Sequence, residues 1–219
     1  MIRFQEELTQ LQDHLLEMAG HVKAAIRKSM QCVLERDESA IPEVLANENH
    51  INQLEIGIDS LATRLVALNQ PVAVDMRLII AALKINTDLE RMGDLAVSIV
   101  HRAGELIRLP PLEPMVPVSE QATLVVAMVE DSITAFVDRN AELAQQVLLA
   151  DDKVDFLRNQ IYESLASKME ADGHAVRRAL LLLGISRNLE RIADHATNVA
   201  EDIIFLVRGV DVRHRNETA

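Results

Sequence analysis

Two pairs of carboxylates stand 100 residues apart in similar local sequence: Glu90 and Asp94 in LERMGDLA, Glu190 and Asp194 in LERIADHA. Four-residue spacing places two side chains on one helix face, about one turn apart. Acids so placed repel, at about 0.2–0.5 kcal/mol, so a pair kept twice calls for a neutralising partner. A metal cation is one choice, because carboxylates from neighbouring helices ligate or bridge iron, manganese or zinc. Arg91 or Arg191, three residues before Asp94 or Asp194, is the other, as an ordinary solvated ion pair. With Glu90 at the origin of a helical wheel, Asp94 falls at about 40°, Ser98 at about 80° and His101 at about 20°, while the apolar seam centres at about −120°. The acids therefore occupy a face apart from the core side. Glu190, Asp194, Asn198 and Glu201 take the same angles in the second copy. A preceding segment carries a related stripe, Glu48, Asn52, Glu55 and Asp59, whose counterparts are Asp151, Asp155, Arg158 and Tyr162. The candidate metal-binding residues are Glu90, Asp94, Glu190 and Asp194, with Glu48, Glu55 and Asp59 in support.

Other chemistry-bearing residues read as structural. Glu17 and His21, at i, i+4, could ligate a metal but fit a surface pair. His195 lies beside Asp194, off its face, and is expected to face solvent. Cys32 falls on an apolar seam as a small buried hydrophobe. No P-loop, dinucleotide-binding glycine pattern or HExxH is present, so the usual enzyme signals are missing. No phosphate-binding nest or arginine cluster is evident in the linear sequence.

The acids need long helices to hold them, and the apolar pattern supplies these. Leu8, Leu11, Leu15, Met18, Val22, Ala25, Ser29 and Cys32 alternate three and four residues apart, as a helical seam requires. Ile51, Leu54, Ile58, Leu61, Leu65 and Leu68 form a second seam. A third runs from Leu78 to Ala103 through Ile85, Leu89, Met92 and Ile99, and a matching one from Leu182 to Leu206 through Leu189, Val199 and Ile203. Residues 76–106 align on 176–206 with nine identities in 31 positions. Upstream the offset becomes 103 and matches Ser29 with Ser132, Arg36 with Arg139 and Val44 with Val147. An internal repeat this long means two copies of one structural unit.

The segment LPPLEPMVP holds four of the six prolines, and a helix cannot run through it. The expected organisation is a three-helix repeat over 1–108, a proline-rich linker over 109–117, a second three-helix repeat over 118–209, and a tail over 210–219. The expected fold is all-α: six long helices in two tandem, pseudo-symmetric three-helix bundles, the third helix running about 34 residues.

Composition agrees. Twenty-two Lys and Arg against 34 Asp and Glu leave a net charge of −12, which argues against a nucleic-acid or anionic-membrane binder. Aromatic residues are 2% of the chain, with no Trp and one Tyr, too few for base stacking. A single cysteine fits a reducing compartment, and neither a secretory signal nor an apolar run near 18–20 residues is found. The expected location is the cytoplasm.

The duplicated LER-[MI]-[GA]-D segment resembles the PhoU family of bacterial phosphate-uptake regulators, whose pattern E-x-x-x-D often extends to E-x-x-x-D-x-x-x-N. QPVAVDMRLI at 70–79 and FLVRGVDVRH at 205–214 are similar to further family features. The resemblance implies two three-helix bundles and a cytoplasmic homodimer without enzymatic activity. It implies restraint of phosphate-starvation genes through contacts with a phosphate ABC transporter and a sensor histidine kinase. It also implies multinuclear iron or zinc in some members at the E-x-x-x-D sites, which adds Asn198 to the candidate ligands; Ser98 departs from that pattern in the first copy. The alternative is a carboxylate metal-cluster or metal-storage bundle. Against it, the Glu-x-x-His of di-iron bundles is absent, with Gly93 and Ala193 at those offsets. A third reading is an adaptor dimer without metal.

Overall fold

The computed structural model describes residues 2–113 and 116–209. The helices are α1 (Ile2–Glu35), α2 (Ile41–Asn69), α3 (Val74–Ile107), α4 (Val118–Asp138), α5 (Ala141–Ala171) and α6 (Val176–Arg208), with short 3₁₀ turns at Glu38–Ala40 and Gly173–Ala175. Asp37 accepts from the Ser39 amide, and Asn140 accepts from the amides of Glu142 and Leu143, so orphan donors at two helix starts are satisfied. Pro42 lies in the first turn of α2, where its missing N–H costs nothing. Pro114, Met115 and the expected tail 210–219 lie outside the described residues.

The repeat persists in conformation. Arg36 and Arg139 both adopt left-handed backbone, with φ of 54° and 50°, ending α1 and α4 alike. Ser29 and Ser132 are both fully buried and donate to the carbonyl three residues back, Ile26 and Val129, at 2.9 Å. Arg36 also reaches across to the carbonyls of Leu106 and Ile107 at 3.2 and 2.9 Å. A cation there satisfies the open carbonyls at the α3 C-terminus and complements its dipole.

The seams are the core. The α1, α3 and α6 positions named above are all buried. In α2 the seam runs out before the end: Leu68 is 71% exposed. The adjoining turn, Gln70 to Ala73, carries positive φ at both ends, with Ala73 at φ 43°, ψ −100°. Helices α1–α3 pack together, as do α4–α6, and α3 against α6 makes the most extensive helix contact, with α1 on α4 beside it. The two bundles thus share one continuous apolar core. Among the described residues no helix is long and apolar enough to cross a membrane.

Polar contacts show that α3 and α6 run antiparallel. At one end Lys84 Nζ donates to Asp202 Oδ1 at 2.7 Å. Near the middle Asp88 Oδ1 lies 2.8 Å from His195 Nδ1 and accepts from Asn198 Nδ2 at 3.3 Å. At the other end Arg102 crosses over Gly184, where an added Cβ would stand 2.5 Å from Arg102 Nε. Repeat symmetry exchanges these ends, since Lys84 matches Gly184 and Arg102 matches Asp202 at the offset of 100.

Candidate functional site

The first acidic site lies between α2 and α3. Glu90, with a side chain 19% exposed, meets Arg91 Nε at 3.5 Å. Burial raises its carboxyl above the ordinary range, Asp94 and Glu55 raise it further, and Arg91 opposes them. The expected neutraliser is thus present but on the neighbouring acid: Arg91 pairs with Glu90 rather than with Asp94. Asp94 is exposed. Glu48 is part-buried on α2, two turns before Glu55. Asp59 is held elsewhere, accepting from Asn86 Nδ2 at 2.9 Å. Ser98 accepts from Arg102.

The second site lies between α5 and α6 and is larger than the sequence reading made it. Asp151 and Asp155 of α5 join Glu190 and Asp194 of α6. Burial first, then Asp194, Asp155, Asp152 and Glu190, push the Asp151 carboxyl up to about 6. Asp194 is raised by burial and by Asp155, against the pull of His195, Arg191 and Arg158. Glu190 is raised chiefly by burial, against Arg158, whose Nη2 lies 3.5 Å from Glu190 Oε1. The offset of 103 pairs Asp151 and Asp155 with Glu48 and Asn52, so both are visible in the sequence as counterparts of the α2 stripe, though not among the candidate ligands. Asn198 turns to Asp88 on the α3–α6 interface.

Two expectations are corrected. His195 does not face solvent: its side chain is 20% exposed and pairs with Asp88 of the other repeat. His21 does not pair with Glu17; it bonds Asn47 and stacks on His50, with ring centroids 5.4 Å apart. An arginine cluster also exists: α5 and α6 bring Arg158 to the groove lined by Arg187 and Arg191.

All-carboxylate donor sets with raised pKa values have the chemistry of hard-cation sites. Among the described residues, however, no three His, Cys, Asp or Glu side chains converge where one ion would reach them. The acids supply carboxylate donors, but in open arrangements.

Comparison with known proteins agrees with this architecture. The family model described as the PhoU domain matches twice, over residues 15–103 and 118–203. The chain is 37% identical over 213 residues, 97% of its length and 88% of the relative's, to a phosphate-specific transport system accessory protein PhoU homolog of Pseudomonas aeruginosa. It is also 37% identical to the protein of that name from Aquifex aeolicus, covering 96% of each. The crystal structure of PhoU from Pseudomonas aeruginosa superposes with a TM-score of 0.90 at 35% identity, covering 94% of this chain and all of that one. The phosphate transport system regulatory protein PhoU from Streptococcus pneumoniae gives 0.88 at 25%, covering 95% and 99%. With both repeats matched by the family model and near full-length relatives above 30% identity, the chain belongs to the PhoU family.

Proposed function

We propose that this protein is a cytoplasmic, homodimeric regulator of phosphate uptake that restrains the phosphate-starvation response when phosphate is plentiful. It does so by coupling the cytoplasmic subunits of a phosphate ABC transporter to a sensor histidine kinase. One observation carries the reading: relatives named as accessory proteins of the phosphate-specific transport system align over nearly the whole chain. The long α3–α6 pair, joined by one core, is a stiff platform for helical partners. Such a platform biases a kinase only by binding its states with different affinity.

The same proposal includes divalent cations, iron or zinc, at the acid pairs. Glu55, Glu90 and Asp94 would hold one group, and Asp151, Asp155, Glu190 and Asp194 the other. A bound cation supplies positive charge that neutralises the repelling acids. The chain's own part is to bring α2 carboxylates to α3 and α5 carboxylates to α6.

Deleting the gene and assaying a starvation reporter such as alkaline phosphatase in phosphate-rich medium tests the regulatory role. Expression rises if the reading holds, and a copy carrying Glu90→Ala, Asp94→Ala, Glu190→Ala and Asp194→Ala fails to restore repression. Unchanged expression after deletion refutes it. Elemental analysis of protein purified without chelators tests the cations: a metal-free preparation whose melting is unmoved by iron, zinc or manganese removes them.

A further inference from the structure

Among the residues that line the α5–α6 groove the second repeat diverges toward positive charge, although beside it Asn52 is matched by Asp155. Where the first has Glu55, Asp59 and Thr87, the second has Arg158, Tyr162 and Arg187. These three changes swing the local charge by four units toward positive, in a chain whose net charge is −12. Arg91 is kept as Arg191. The second-repeat residues do not scatter: Arg158 and Tyr162 of α5 face Arg187 and Arg191 of α6 across a groove of about 570 Å³. That volume is within the range of small-molecule sites, roughly 300–1,000 Å³.

Arg187 and Arg191 lie one turn apart and are both exposed; Arg187 acts on Glu190 and Arg191 on Asp194 through their charges. Arg158 donates from Nη2 to Glu190 at 3.5 Å and from Nη1 to its neighbour Asn159 at 2.9 Å, contacts it exchanges on turning to a ligand in the groove. Tyr162 is the chain's only tyrosine and 54% exposed. Its hydroxyl supplies a further donor. Glu190 and Asp194 also line the groove, and Asp155 is close enough to raise both of their carboxyls, so an acidic end adjoins the arginines. Three guanidinium forks on two helices suit a tetrahedral dianion, which accepts paired N–H donors from several directions.

We propose that this groove binds a phosphoryl group, either orthophosphate or the phosphate of a small phosphomonoester. Arg187 and Arg191 hold the anion from α6, Arg158 closes on it from α5, and Tyr162 donates a hydrogen bond. The site requires neither the cations nor the partners of the regulatory reading, because its donors belong to the chain itself.

Tyr162 provides the assay. With no tryptophan and one tyrosine, the intrinsic emission of the full chain comes from this groove. Protein in excess chelator, at constant ionic strength, is titrated with orthophosphate, with glycerol phosphate, and with sodium chloride as control; calorimetry of the same titrations gives an independent readout. We expect a saturable change in emission with one or both phosphates and none with chloride. The variant Arg187→Gln with Arg191→Gln should weaken binding by about tenfold or more, and Arg108→Gln, on a distant helix end, should leave it unchanged. Orthophosphate alone binding identifies the free anion, and tighter binding of the ester identifies an organic phosphate; both support the site. No saturable change with either phosphate, an equal response to chloride, or undiminished binding by the double variant overturns it. Should that variant lose its helical circular dichroism, Arg158→Gln is held to the same criterion.

Discussion

Asp151 carries a pH-dependent strain that substitution should relieve. Its carboxyl is pushed up to about 6 by burial and by Asp194, Asp155, Asp152 and Glu190, against an ordinary value of about 4. The native state therefore holds the proton more tightly than the unfolded chain does between those values. Stability from this group is present below about pH 4 and declines as pH rises through about 6. The gap corresponds to ~3 kcal/mol at most. The side chain is only part-buried, and solvent screening reduces this to about 1 kcal/mol. Asp151→Asn removes the charge and keeps the shape. In chelator at about pH 8 it should unfold at higher urea, by about 1 kcal/mol, and melt about 2–4 °C above wild type. Toward about pH 4.5 the two proteins should converge, because wild-type Asp151 regains its proton. Urea titrations followed by circular dichroism across that range measure both. A variant no more stable than wild type at pH 8, or a gain that persists unchanged at low pH, refutes the reasoning. With a divalent cation bound, the order at pH 8 should reverse, since the carboxylate then becomes a ligand.

Other perturbations follow from the packing. Ala73→Gly should raise stability by about 1 kcal/mol, because Ala73 sits at φ 43°, where a Cβ is strained; thermal unfolding reads it. Lys84→Met should cost about 1–2 kcal/mol by removing a charge-assisted bond to the largely buried Asp202, and adding Asp202→Asn should recover most of that in urea titrations. Arg36→Ala should uncover the carbonyls of Leu106 and Ile107 and cost about 1 kcal/mol. Amide exchange should then quicken at the α3 C-terminus and not at its centre.

What was legible in the sequence was what depends on one helix at a time. Seam residues such as Leu89 and Leu189 are buried because three-and-four spacing stacks them on one face, whatever covers them. The repeat was legible because duplication leaves a constant offset, and the shared left-handed turns at Arg36 and Arg139 follow from it. The acid pairs could be placed on a face for the same reason. What failed depended on a neighbour. His195 sits about 100° from Asp194 on the wheel, and only the approach of α3 decides that this direction meets Asp88. Arg158 lies 29 residues before Arg187, so no local pattern joins them; antiparallel packing of α5 on α6 does. Leu68 continued the α2 seam correctly, but the helix outruns its cover.

The exchange of ends along α3 and α6 has a consequence for how the halves recognise each other. If two first repeats met through the same antiparallel surface, Lys84 of one would face Arg102 of the other, twice, and like charges would oppose the contact. Two second repeats would set Asp202 against Gly184, with no cation at either end. Only the mixed pairing joins Lys84 to Asp202 and gives Arg102 the space above Gly184. The duplicated unit has thus diverged into complementary halves, each discriminating against itself, and like bundles of neighbouring chains are discouraged from pairing through this surface.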